Sequence, residues 1–143
     1  FELMGKNQNQ VYPFEHLFFE VDYLPFPYKQ KEEEVLIAAE KLEERGISAE
    51  VINIHTIKPL DETAVIASLQ KTRCAVTAEE HNIIGGLGDS IAQVAAKHCP
   101  VPIEYVGTKD TFGESGTPTQ LLTKYGLDTP FIVAAAEKVI ARK

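Results

Sequence analysis

The sequence predicts an α/β domain built on a mainly parallel sheet covered on both faces, and three observations carry that prediction. Past Gly46, apolar strand-like runs at 47–54, 73–78 and 102–106 alternate with helix-periodic stretches. Such alternation requires strand–helix–strand units with right-handed crossovers. The run at 73–78, Arg-Cys-Ala-Val-Thr-Ala, is short and apolar between polar neighbours, as a strand buried on both faces should be. It hands over through 77–90, Thr-Ala-Glu-Glu-His-Asn-Ile-Ile-Gly-Gly-Leu-Gly-Asp-Ser, to a helix. Polar and glycine residues in a tight turn after a parallel strand lie where open α/β sheets place ligands or partners.

Residues 1–28 differ from the remainder. Seven of the twelve aromatic residues fall between Tyr12 and Tyr28, with Pro13, Pro25 and Pro27 among them. A strand is expected within 17–24, stopped by the prolines behind it. The segment reads as an arm or edge strand whose aromatics need another surface to cover them. The regular domain is expected over 29–143.

From Lys31 the pattern is helical. Glu32, Glu33 and Glu34 suit the positive end of a helix dipole; Val35, Ala38, Ala39 and Leu42 form a core stripe, and Arg45-Gly46 ends it. A strand at 47–54 follows. The loop 55–61, His-Thr-Ile-Lys-Pro-Leu-Asp, brings Asp61 as N-cap to a helix carrying Ala64, Val65 and Leu69 inward. His55, at a strand end, reads as hydrogen-bonded scaffold, because nothing in the sequence supplies a catalytic partner. After the 77–90 turn, Leu87, Ile91, Val94, Ala95 and His98 form one stripe of a helix ending near Pro100. The strand at 102–106 runs into a polar, glycine-containing loop, 107–116, around Phe112. Thr117, Pro118 and Gln120 have the spacing of a capping box with proline at N1; Leu121 and Leu122 face the core and Gly126 closes that helix. Thr129-Pro130 repeats the N-cap and N1 pairing, with Phe131, Ile132, Ala135, Ala136 and Val139 as the inner face of a last helix.

With 143 residues the chain fits one domain with a real core, and its net charge of -7 disfavours nucleic acid or an anionic membrane as partner. Cys74 and Cys99 make neither a disulfide framework nor metal-ligand spacing, which points to a reducing, cytoplasmic setting. No apolar run approaches the 18 or more residues of a membrane span. Beginning at Phe1, the chain is expected to be a fragment, a processed product or part of something larger.

The candidate site residues are Glu79, Glu80, His81, Gly85, Gly86 and Gly88 in the turn, with Asp110 and Ser115 in the later loop. Glycines there permit close approach to an anion at the next helix N-terminus. Against phosphate stand Ile91, at the third glycine position of the dinucleotide fingerprint, and the charge of Asp89. A structural turn or subunit contact is the competing reading. Glu79, Glu80 and His81 carry acid–base groups, yet neighbouring glutamates diverge, so a solvated or interfacial cluster is expected. Gly86 is expected at positive φ.

Glu79-Glu80-His81 followed by Gly85-Gly86-Leu87-Gly88, with Thr56-Ile57-Lys58-Pro59-Leu60-Asp61 before and Phe112-Gly113-Glu114-Ser115-Gly116 after, resembles the C-terminal domain of transketolases and their thiamine-diphosphate relatives. The likeness covers about 31–143, and Leu121-Leu122-Thr-Lys-Tyr125-Gly126-Leu127 makes the chain most similar to the C-terminal subunit of a split transketolase. The resemblance implies a three-layer α/β/α sandwich on a mostly parallel five-stranded sheet, its first strand antiparallel. It implies a part of a cytoplasmic, dimeric transferase of the pentose phosphate pathway that moves a two-carbon ketol unit between sugar phosphates. Thiamine diphosphate and Mg belong to the whole enzyme; this chain has no Gly-Asp-Gly segment with a metal-binding Asn and no activating glutamate, so no catalytic, cofactor-binding or metal residue is carried over. The implied partners are the cofactor-binding domains or subunit, in a homo-oligomer. The alternative is a free-standing module holding a small anion or nucleotide at 85–90 or 107–116. One departure stands at 18–28, Phe-Phe-Glu-Val-Asp-Tyr-Leu-Pro-Phe-Pro-Tyr, where the family has an apolar strand ending in a small-residue turn. Either an aromatic strand replaces the first one or the sequence is altered there.

Overall fold

The computed structural model describes the backbone of Glu2–Leu3, Glu15–Asp22 and residues 30–143, with side chains from residue 33. The elements are β1 (Glu2–Leu3), β2 (Glu15–Asp22), α1 (Gln30–Glu43), β3 (Ile47–Ile54), α2 (Glu62–Thr72), β4 (Ala75–Asn82), α3 (Leu87–His98), β5 (Ile103–Thr108), α4 (Pro118–Tyr125) and α5 (Thr129–Ile140). The sheet order is β1-β3-β2-β4-β5.

Every pairing among the described strands is parallel, including the two-residue β1 with β3. The antiparallel first strand is therefore not found; for β2 onward the reason is that each connection is a helical crossover, which returns the chain in the same direction. The strand expected within 17–24 lies at Glu15–Asp22, and it pairs with β3 on one side and β4 on the other. It is thus central, not an arm or an edge. Within residues 1–28, the aromatic and proline positions outside β1 and β2 lie outside the described residues, as do all side chains up to Glu32.

Strand alternation sorts the core into two layers. Ala49, Val51, Val76, Ala78 and Val106 pack with α1 (Val35, Ala38, Ala39, Leu42), α4 (Leu122) and α5 (Ile132, Ala136, Val139). Ile52, Ile54, Ala75 and Ile103 face the other way, against Val65 and Leu69 of α2 and Leu87, Ile91 and Val94 of α3. Each fully buried Leu or Ile contributes about 1.5–3 kcal/mol, so both layers are needed to hold the sheet.

Turn chemistry follows the sequence closely at three places. Asp61 accepts from Ala64 N–H at 3.0 Å, Thr117 and Gln120 close a capping box, and Gly46 takes φ +80 after α1. Elsewhere the boundaries move. Arg73 ends α2 in the left-handed region, so β4 starts at Ala75 rather than 73. Asp128, not Thr129, is the N-cap of α5. Thr129 is drawn instead to α1, where its N–H donates to Glu34 Oε2 at 2.6 Å and its hydroxyl to the Glu34 carbonyl at 3.1 Å. Phe131 is 49% exposed at the rim against Gly126, not on the inner face of α5. The described residues contain no helix long and apolar enough to cross a membrane.

Candidate functional site

After β3 the chain crosses β2 to build β4, which reverses the winding. The C-terminal ends of β2 and β4 therefore flank the switch point at which open α/β sheets form a crevice. Strand β4 extends four residues past Ala78, so Glu79, Glu80 and His81 stand near its end rather than in a loop. An acid can end a buried strand here because its charge is met at once. The Glu79 side chain is 1% exposed, and its carboxylate accepts from Leu87 N–H at 2.8 Å and Gly88 N–H at 3.1 Å. It caps α3, whose own N-cap, Gly86, has no side chain to do so.

The glycines make this approach possible. A Cβ on Gly86 would stand 2.1 Å from Glu79 Oε2 and 2.9 Å from the Asn82 carbonyl. One on Gly88 would stand 2.6 Å from Tyr105 Cδ1, and one on Gly107 2.7 Å from Ile83 Cγ2. Gly86 itself has φ -101, so the expected positive φ belongs to Gly85, at +79. Gly86 is needed for space, Gly85 for backbone conformation. Gly85 N–H donates to Asp89 Oδ2 at 2.5 Å, putting a second carboxylate at the start of α3.

His81 is exposed; its Nδ1 lies 2.8 Å from the Asn82 carbonyl and 3.9 Å from Glu79 Oε2. Glu80 is half-buried, on a stretch of β4 where the register with β5 shifts between Ala78 and Asn82. Asp110 adopts φ +48 and accepts from Asn82 Nδ2 at 3.3 Å, tying the loop after β5 to the end of β4. Ser115 is exposed on that loop and makes no hydrogen bond to the cluster among the described residues. So Glu79, Gly86, Gly88 and His81 come together, Asp110 joins from the side, and Ser115 stands apart. His55 is exposed with Nδ1 2.6 Å from Thr56 Oγ1, and beside Asn53 and Asp61 it lines a cleft of about 350 Å³.

Tertiary folding also assembles a charge cluster that no local pattern announces. Glu104 on β5 is bonded by Lys138 Nζ at 2.7 Å and by the Arg142 guanidinium. Burial pushes its carboxyl up, but the bonds and charges of Lys138 and Arg142 outweigh this and hold it below its ordinary 4.5. A depressed carboxyl stabilises the fold above its unfolded pKa, and that contribution disappears as pH falls through the folded value. Glu104→Gln is therefore expected to cost about 1 kcal/mol at pH 7, with Lys138 and Arg142 half or more exposed. Urea melts of both proteins should converge as pH drops below the ordinary 4.5.

Thiamine diphosphate does not fit these residues. The α3 amides that would take a diphosphate already serve Glu79, with Asp89 beside them, and the described residues contain no His, Cys, Asp or Glu cluster able to hold a metal ion.

Residues 31–132 match the model of the transketolase C-terminal domain family. The chain is 50% identical over 110 residues to the 6-deoxy-6-sulfo-D-fructose transketolase subunit SqwH of Clostridium sp. (strain MSTE9), a match covering 77% of this chain and 34% of that protein. It is 37% identical over 110 residues to 1-deoxy-D-xylulose-5-phosphate synthase 1 of Geobacter sulfurreducens, covering 76% of this chain and 17% of that one. Among solved structures, a split gene transketolase described as an inactive beta4 tetramer superposes with a TM-score of 0.80 at 38% identity, covering 90% of this chain and 40% of the other. The chain thus spans about a third or less of these curated relatives. Together with the strand order and the two-sided core, these likenesses show that the chain belongs to the transketolase C-terminal domain family.

Proposed function

We propose that this chain is the structural and subunit-contact domain of a transketolase-like enzyme that transfers a two-carbon ketol unit between sugar phosphates, and that it is not catalytic by itself. The observation that carries the reading is the fate of Glu79: the best-placed acid at the switch point is buried and spent on capping α3. Thiamine diphosphate and Mg act, in this reading, in cofactor-binding domains on the same or a separate polypeptide. The 50% identity to a transketolase subunit supports it, as does the split-gene neighbour, whose description records a tetramer without activity.

Contact with those domains has a candidate surface. Ile84, 65% exposed after β4, and Phe112, 98% exposed after β5, project at the end of the sheet that Asn82 and Asp110 tie together. The unit we expect to dock is the three-layer domain on a five-stranded sheet. Its compositional boundary is at 28/29, but β2 belongs with it because it lies between β3 and β4. We further read the assembly as a homo-oligomer of the cytoplasmic pentose phosphate pathway type. A free-standing anion or nucleotide module at 85–90 or 107–116 is not supported by the likenesses, and at 85–90 Leu87 and Gly88 already give their N–H groups to Glu79.

The test is reconstitution. The purified chain with thiamine diphosphate, Mg²⁺, a ketose phosphate and an aldose phosphate should show no turnover, and a partner carrying both cofactor-binding domains should supply it. Turnover by this chain alone overturns the reading.

A further inference from the structure

The edge strand β5 and helices α4 and α5 enclose a cleft of about 500 Å³, within the range of small-molecule sites. Three elements each send a lysine to it: Lys109 from the loop just past β5, Lys124 from the last turn of α4 and Lys138 from α5. Tyr125 and Phe131 supply an apolar wall, and Phe131 keeps half its surface open.

The local charge runs against the whole. In a chain of net charge -7, this cleft and its rim hold Lys109, Lys124, Lys138 and Arg142 against the carboxylates of Glu104 and Glu114. Lys138 and Arg142 share Glu104, and Lys124 pairs with Glu114 on the surface, a contact of small worth that an anion readily displaces. Lys109 has no hydrogen bond or ion pair among the described residues. The acid next to it, Asp110, is turned to Asn82. Lysine ammoniums are mobile point charges suited to a phosphate group, and the aromatic wall suits an organic body attached to it.

We propose that the cleft between β5, α4 and α5 is a binding site for a small organic phosphate, held by Lys109, Lys124 and Lys138 with its organic part against Tyr125 and Phe131. The site needs no catalytic partner, so its test is independent of reconstituted activity. Titration calorimetry of the full chain uses ribose 5-phosphate and adenosine 5′-monophosphate, with ribose, adenosine and inorganic phosphate as comparisons. At least one organic phosphate should bind at a single site, more tightly than inorganic phosphate, while the unphosphorylated pair stays silent. Lys109→Ala should weaken binding about tenfold, the equivalent of roughly 1.4 kcal/mol. Lys97→Ala, an exposed α3 lysine far from the cleft's lining, makes the same change in net charge and should leave affinity unaltered. Silence from both organic phosphates at millimolar concentration overturns the site. So does equal binding of inorganic phosphate, or an unchanged affinity in folded Lys109→Ala.

Discussion

Gly86→Val is expected to destabilise the chain by about 3 kcal/mol or more, in urea unfolding at neutral pH. Backbone strain is not the source, because φ at Gly86 is -101 and open to any residue. The new Cβ would fall 2.1 Å from Glu79 Oε2 and 2.9 Å from the Asn82 carbonyl. The carbonyl belongs to β4 and cannot yield without shifting the strand, so the carboxylate must leave. Overpacking in a rigid site costs about 1–3 kcal/mol, and the two orphaned amides of α3 add about 1 kcal/mol or more each. Gly85→Ala is the informative contrast. Its Cβ meets nothing within 4 Å, and only the φ of +79 opposes it, which limits the cost to about 1–2 kcal/mol. Equal losses from the two substitutions would show that the crowding around Gly86 is not what matters.

Glu79→Ala should cost about 2–4 kcal/mol through the same two amides. Leu87 N–H and Gly88 N–H lose a charged acceptor inside a layer where water does not reach, and the side-chain volume is left as a cavity. Glu79→Gln keeps the shape and one acceptor, so it should recover part of that loss. The pair with Gly86→Val makes a sharper check. Both changes abolish one interaction, so the double variant should be less destabilised than the two single losses added together. Strict additivity in the double-mutant cycle would mean that Glu79 does not cap α3. Because the Leu87 and Gly88 amides lose their acceptor, amide exchange in the first turn of α3 should rise in each variant.

Much of this architecture was legible because its signals are local. Strand β3 at 47–54, the Asp61 cap and the Thr117 capping box depend on residues within one turn of one another, and the structure reproduces them. The family likeness was legible too, because the motifs stand in order along most of the chain. Features that depend on a distant neighbour are not legible in this way. The local pattern ends the strand at Ala78 because Glu79 and Glu80 are charged, and only the arrival of α3 supplies the amides that let Glu79 be buried within β4. Thr129 has the form of an N-cap, but Glu34, 95 positions away, claims its N–H and hydroxyl. Residues 1–28 read locally as an arm or edge strand, while the central place of β2 within them comes from the crossover of β3 to β4. Lys109, Lys124 and Lys138 look like scattered surface charges until β5, α4 and α5 bring them to one cleft.

By itself, then, the sequence determined the alternation of strands and helices, their turns and the family, since periodicity, caps and motifs act over a few residues. Tertiary structure alone decided which acid is buried, which strand is central and where positive charge gathers. Burial and charge depend on what packs against a residue, and the packing partner lies tens of positions away along the chain.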